Sequence, residues 1–288
     1  MRENNACCEA AMTSEEKRML FYSNPSIAYC KPFRIFGNLY YIGDKKVCSH
    51  LIDTGEGLIV FDSGYQHTIH LLVQSIWELG FNPSNIKYLI HTHGHFDHFG
   101  GSNEFRTLYG CKTIMSRPDA EMLRDNPDGA LMEMNPNPYA KLPIIDQTFG
   151  DGDIITLGST SIRCVIIPGH SPGNTAFFFD VRENNCVCHV AYFGGAGNPK
   201  FITLQKDYLD KCNLPYSLRD DFINSIDKLY GERADIVLGS HPSQNRILEK
   251  RKLMLEQDVS NPFIDPFEWD RFLSQLKESY ISFLDKGI

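Results

Sequence analysis

Two hydrophobic rhythms alternate along the chain. Between residues 33 and 61, short apolar runs are cut by turn residues (Phe36-Gly37-Asn38, Gly43-Asp44, Thr54-Gly55-Glu56-Gly57). That pattern predicts an antiparallel β-meander. Ile69, Leu72, Val73, Ile76 and Leu79 then recur at helical spacing, which predicts an amphipathic helix over about residues 67–79. Ile86-Lys87-Tyr88-Leu89-Ile90 reads as a strand. The theme returns between residues 153 and 238, where 161–167, 186–192 and 234–238 read as buried strands. Near the end, Trp269, Phe272, Leu273, Leu276, Tyr280, Phe283 and Leu284 form one helical stripe, the mark of an external helix packed on the body. At the other end, Thr13-Ser14-Glu15-Glu16 has the form of a capping box opening a helix to about Tyr22.

The chemistry concentrates where the first strand-rich half ends. Four of the ten histidines fall in His91-Thr92-His93-Gly94-His95-Phe96-Asp97-His98, directly after the strand at 86–90 and just before Gly100-Gly101. His93-x-His95-x-Asp97-His98 lets one coil aim three imidazoles and a carboxylate at one point. Neutral imidazole and carboxylate suit zinc or iron, so this segment is expected to bind metal. Two further histidines end strands in rigid loops, Pro168-Gly169-His170-Ser171-Pro172-Gly173 and Gly239-Ser240-His241-Pro242. Glycine and proline on either side hold such a side chain still, the usual setting of a functional group.

The order of these three motifs resembles that of the metallo-β-lactamase superfamily, over roughly residues 30–250. The resemblance implies an α/β fold, the four-layer αββα sandwich, spanning residues 30–258. An extension with a short helix (1–29) would precede it and a packed C-terminal helix (259–288) would follow. It also implies two Zn2+ ions, the first held by His93, His95 and His170, the second by Asp97, His98 and His241. Asp62, in Ile59-Val60-Phe61-Asp62-Ser63-Gly64, matches an aspartate that orients a metal-binding histidine. His91 matches no ligand and reads as a group that supports the ligands from behind or as structural.

Most hydrolases of the superfamily add a bridging aspartate after a later strand. Here Phe193-Gly194-Gly195 puts glycine at that position, the pattern of the third, histidine-rich subclass of metallo-β-lactamases. Those enzymes carry two serines, for the drug's carboxylate, where this chain has Gly195 and Gly197. Weak β-lactamase activity is therefore expected, with Gly195→Ser and Gly197→Ser together expected to raise it. Lys200 is a candidate substitute contact, and Tyr139 falls near an oxyanion-binding tyrosine of the subclass.

The activity implied is hydrolysis of a carbonyl C–N or C–O bond in a small molecule, a β-lactam-like cyclic amide or a lactone. Asp97 would orient the nucleophile and take its proton. Thioester or phosphodiester hydrolysis is the alternative within the superfamily. Outside hydrolases stand an iron oxidoreductase and a non-catalytic metal-binding protein. Flavo-diiron relatives replace the second motif histidine with glutamate, where this chain keeps His95, and persulfide dioxygenases need the bridging aspartate.

Composition narrows the partners. With 42% hydrophobic and 22% charged residues the 288-residue chain has the make-up of a globule with a large core. A net charge of −8 argues against nucleic acid, because no basic stripe is available to neutralise phosphates. No apolar run reaches transmembrane length, and the first ten residues lack a signal-peptide stretch. The nine cysteines show no framework of spacings, which suits a reducing, cytoplasmic setting. Cys186 and Cys188 alternate on one strand face and are expected in the core. Residues 125–146, rich in proline and asparagine, are expected to form a loop over the metal edge.

Overall fold

The computed structural model describes residues 13–135, 137, 139–197, 200–256 and 260–287. The Cys7-Cys8 pair, Asn198-Pro199 and the expected boundary at 258/259 lie outside the described residues.

The meander forms as β1 (Phe33–Phe36), β2 (Leu39–Tyr41), β3 (His50–Asp53) and β4 (Leu58–Phe61), each antiparallel to the next. β5 (Ile86–Ile90), β6 (Lys112–Ser116) and β7 (Gln147–Phe149) extend the same sheet in parallel. Parallel neighbours need crossovers, and the helices Ile69–Glu78 and Ser102–Tyr109 supply the first two. The second sheet holds β8 (Ile154–Leu157), β9 (Thr160–Ile166), β10 (Thr175–Glu183), β11 (Cys186–Phe193) and β12 (Ile236–Gly239), in the order β12-β11-β10-β9-β8. Here β11 and β12 are parallel and the other pairs antiparallel.

The sheets face each other across Tyr41, Ile52, Phe61 and Ile90 on one side and Phe177, Phe179, Tyr192 and Leu238 on the other, all buried. Alternate residues point outward under helices. Leu51, Val60 and Leu89 meet Leu72 and Ile76 of the helix Ile69–Glu78. Phe178, Ala191 and Val237 meet Phe222 of the helix Ser217–Leu229 and Trp269, Leu273 and Tyr280 of the helix Glu268–Leu284. Strands covered on both faces read as unbroken apolar runs, which is why Leu58-Ile59-Val60-Phe61 lacks alternation. The result is the αββα sandwich.

The ends refine the sequence reading. The first described helix, Ser14–Ser23, is closed by the expected box, Thr13 Oγ1 accepting from the Glu16 N–H and the Glu16 carboxylate from the Thr13 N–H. Cys188 is buried but Cys186 is exposed, against the expectation of two core thiols. Cys186 pairs with Glu183 at the hairpin end of β10 and β11, beyond the reach of the covering helices. Residues 125–146 contain two short 3-10 turns, Pro127–Ala130 and Met132–Met134.

Trp269 is 1% exposed and its ring meets Phe178 and Phe193 at centroid distances of 5.8 and 6.3 Å. Trp269→Ala is expected to destabilise the fold by about 3–5 kcal/mol, read as a lower urea midpoint at unchanged slope. A midpoint within error of the parent would show that the C-terminal helix does not anchor the second sheet.

Candidate metal centre

Strand ends build the site. Asp62 follows β4, residues 91–98 follow β5, His170 follows β9 and His241 follows β12. All leave the sheets at carboxyl ends, the edge where open α/β sheets gather functional groups. Asp62 has φ of 55°, a left-handed conformation that aspartate tolerates better than most residues and that concentrates at functional sites.

Two groups of donors result. His93, His95 and His170 form one, and Asp97, His98 and His241 the other, with one nitrogen or oxygen from each residue within 4.8 Å of the others. The ring centroids of the first group lie 4.6–4.8 Å apart. In the second, His98 Nε2 is 3.3 Å from His241 Nε2 and 3.4 Å from Asp97 Oδ2. His93 and His98, with centroids 4.0 Å apart, join the groups.

A hydrogen-bond chain orients these rings. Asp62 Oδ2 accepts from His98 Nδ1 at 2.8 Å and from the Thr92 hydroxyl at 2.7 Å, while Oδ1 accepts from the Thr92 N–H. Since the Thr92 hydroxyl spends its proton on Asp62, it accepts from His93 Nδ1 at 2.9 Å. One carboxylate therefore sets both rings. His241 Nδ1 donates to the Lys46 carbonyl at 2.8 Å. His170 Nδ1 lies 3.3 Å from Thr203 Oγ1.

Burial pushes His93 and His170 well below the usual imidazole range and His95 down to about 3, so these rings are neutral. Burial also opposes charge on His98, but Asp97 and Asp62 on either side overcome it and raise its pKa. Desolvation pushes Asp97 up, and the neighbouring His98, with His241 and His95, more than reverses it. His93 Nε2 is buried with no partner among the described residues. The neutral imidazoles of the first group, the ionised Asp97 carboxylate and an orphaned ring nitrogen fit a pair of borderline metal ions.

Comparison with known proteins agrees with this geometry. Residues 43–183 match the model of the metallo-beta-lactamase superfamily. The chain carries a metallo-β-lactamase superfamily domain. It is 27% identical to the hydroxyacylglutathione hydrolase GloC of Haemophilus influenzae, over 76% of this chain and 92% of that protein. BJP-1, a subclass B3 metallo-β-lactamase of Bradyrhizobium japonicum, superposes with a TM-score of 0.78 at 27% identity, over 92% of this chain and 97% of the other. The class B3 di-zinc metallo-β-lactamase LRA-12 from an Alaskan soil metagenome gives a TM-score of 0.75 at 26% identity, over 90% and 95%. The chain is a metal-dependent hydrolase of this superfamily. No helix among the described residues is long and apolar enough to cross a membrane.

Beside the metal centre of this superfamily hydrolase lies a cleft of about 330 Å³, lined by His93, His95, Asp97, His170 and His241 together with Leu131, Met134, Ala196, Gly197, Lys200 and Ile202. Leu131 and Met134 belong to the irregular 125–146 segment, which therefore does reach the metal edge. Tyr139 does not line the cleft and is 84% exposed. Its N–H donates to Asn137 Oδ1, an Asx turn at the point where the chain reaches solvent, so the structure does not bring it to the cleft. His91 is buried behind the site with Nε2 2.8 Å from Ser102 Oγ, a structural contact.

The glycines correct the serine expectation. A Cβ on Gly195 would lie 1.8 Å from His170 Cδ2 and 2.4 Å from Nε2. Gly195 is empty because His170 fills the space. Gly197 has φ of +68°, and a Cβ there would approach His170 Nδ1 to 3.3 Å. Serines at these positions would move the histidine rather than restore a contact. The sequence reading also missed Asp119, which is fully buried and bonded to the backbone of the 91–98 and 168–173 loops. Its sequence signal, Ser116-Arg117-Pro118-Asp119, reads as a helix start, and only the fold turns that helix end toward the site.

Gly195→Ser is expected to lower hydrolysis about 100-fold or more, the scale of a ~1 Å misplacement in a site. Metal content should fall with it. Activity equal to or above the parent would show that His170 can yield its place.

Proposed function

We propose that the chain opens a carbonyl C–N or C–O bond of a small molecule, a cyclic amide or a lactone, with two zinc ions as cofactors. The observation that carries this reading is the pair of three-donor groups, His93, His95, His170 and Asp97, His98, His241, beside one apolar-sided cleft. Zinc is favoured by the nitrogen and oxygen donor set and by the similarity to a di-zinc enzyme. Zinc in such a site lowers the pKa of water toward neutrality and polarises a carbonyl oxygen.

The chain's own groups prepare the reaction. Asp62 holds His98 directly and His93 through Thr92, so their free ring nitrogens keep one direction. The Lys46 carbonyl does the same for His241. Asp97 orients the attacking water and takes its proton. Leu131, Met134 and Ile202 shield the reacting atoms from bulk solvent, and Lys200 offers a cation to an anionic substrate group. Without hydroxyls at 195 and 197, a β-lactam carboxylate loses two contacts worth about 1 kcal/mol each, so β-lactamase activity is expected to be weak.

Similarity to a hydroxyacylglutathione hydrolase over three quarters of the chain favours a thioester as the second reading. Phosphodiester hydrolysis has less support, because Lys200 is the cleft's one cationic lining residue among those described and the net charge is −8. The thiols of Cys48, Cys111, Cys164, Cys188 and Cys212 are buried and unpaired, which supports a cytoplasmic, reducing location.

The purified chain is expected to hold two zinc ions by elemental analysis, and His170→Ala and His241→Ala each to remove one and abolish hydrolysis. Unchanged metal content in both variants would overturn the assignment. Against a chromogenic cephalosporin, an acyl-homoserine lactone, a thioester and bis-nitrophenyl phosphate, turnover should be strongest on a carbonyl compound. Turnover of the phosphate diester alone would replace carbonyl chemistry with phosphodiester hydrolysis.

A further inference from the structure

We propose that Asp119 is a positioning residue that locks the two loops carrying His93, His95 and His170 into a single metal site. The inference rests on the metal reading above and names what holds its first donor group together.

Asp119 is fully buried in the first turn of the helix Arg117–Asp125, which follows β6. Its Oδ2 accepts from the Gly94 N–H at 2.7 Å and from the Ser171 hydroxyl at 2.7 Å, and its Oδ1 from the Gly173 N–H at 2.6 Å. Gly94 lies between His93 and His95. Ser171 follows His170 directly, and Gly173 closes the same turn. The bonds accepted by this carboxylate thus come from the two loops that supply the first group.

The approach is close on both sides, and at Gly173 it requires glycine. A Cβ on Gly94 would meet Met122 Cε at 2.9 Å and Asp119 Cγ at 3.4 Å. A Cβ on Gly173 would meet Ser116 Oγ at 2.0 Å and the Asp119 nitrogen at 2.5 Å. Capping its own helix does not explain the carboxylate, since the Ser116 hydroxyl already accepts from the Asp119 N–H. The second group is held from elsewhere, His98 by Asp62 and His241 by the Lys46 carbonyl. Asp119 thus bonds residues that adjoin the ligands of the first group, His93, His95 and His170.

The chemistry makes the carboxylate hard to replace. Three donors converge on two oxygens, and an amide would set its own NH2 against one of them. Charge-assisted bonds of this length are also the stronger kind.

The test is zinc titration of the metal-free full chain, with the cobalt(II) spectrum and thermal melting of the metal-free form measured alongside. Asp119→Asn should weaken one of two zinc sites about 10- to 100-fold, as loss of an orienting partner does, and leave the other at parent affinity. Its cobalt spectrum should change in one component. Ser171→Ala, which removes one donor and keeps the carboxylate, should weaken the same site less and carries the test if Asp119→Asn does not fold. Parent-like affinity at both sites in whichever variant folds would overturn the proposal. So would equal weakening of both sites in step with a lower melting temperature, the mark of a merely structural role. A parent chain that takes up no metal would instead overturn the metal reading itself, and this inference with it.

Discussion

The site depends on a single carboxylate. Asp62 stands at the end of β4 with a left-handed backbone and no exposure, and it accepts from Thr92 and His98 in the neighbouring loop. Through the Thr92 hydroxyl it also fixes His93. One anion thereby sets rings in both donor groups. The buried carboxylate is kept acceptable by three hydrogen bonds, and the rings that supply and receive this order keep their free nitrogens pointed at common points. Had the loop after β5 been free to turn, four histidines in eight residues would be a polar surface feature.

Space is the second constraint. His170 lies against Gly195 so closely that no side chain fits between them. The bridging aspartate of other superfamily hydrolases and the serine of the third subclass are thus excluded by the same ring in this arrangement. What remains is an approach to the donors bordered by Leu131, Met134, Ala196 and Ile202. Substrate recognition in such a cleft relies on shape and apolar contact, with Lys200 as its cation, more than on a dedicated carboxylate clamp.

Cavity size alone would point elsewhere. A groove of about 980 Å³ runs past Asp53, Arg163, Asp180, Arg182, His189 and Glu232. Its polar groups pair with one another, Arg163 with Glu232 at 2.6 Å and His189 Nδ1 with Asp180 Oδ1 at 2.6 Å. A self-paired surface offers a ligand little that water does not. The small cleft differs because its polar atoms converge and one of them, His93 Nε2, has no partner among the described residues.

The sequence by itself determined the meander of β1 to β4, the strands β5, β9, β11 and β12, the first described helix, the helix Ile69–Glu78, the C-terminal helix and the three histidine motifs, and left β6, β7, β8, β10 and the helix Ser217–Leu229 unread. Those are local properties, since period two, period 3.6 and the turn residues act within about ten positions. Boundaries moved by one or two residues, as at β9 and β12, and Cys186 proved exposed because helix coverage of a sheet is not written in the strand it covers. Whether Tyr139 faced the site, what filled the position of Gly195 and what Asp119 bonded were decided by tertiary structure. Each depends on the distance between segments tens of residues apart, such as Asp119 and Gly173. That distance is set by how two sheets and their helices pack, which no local pattern of residues encodes.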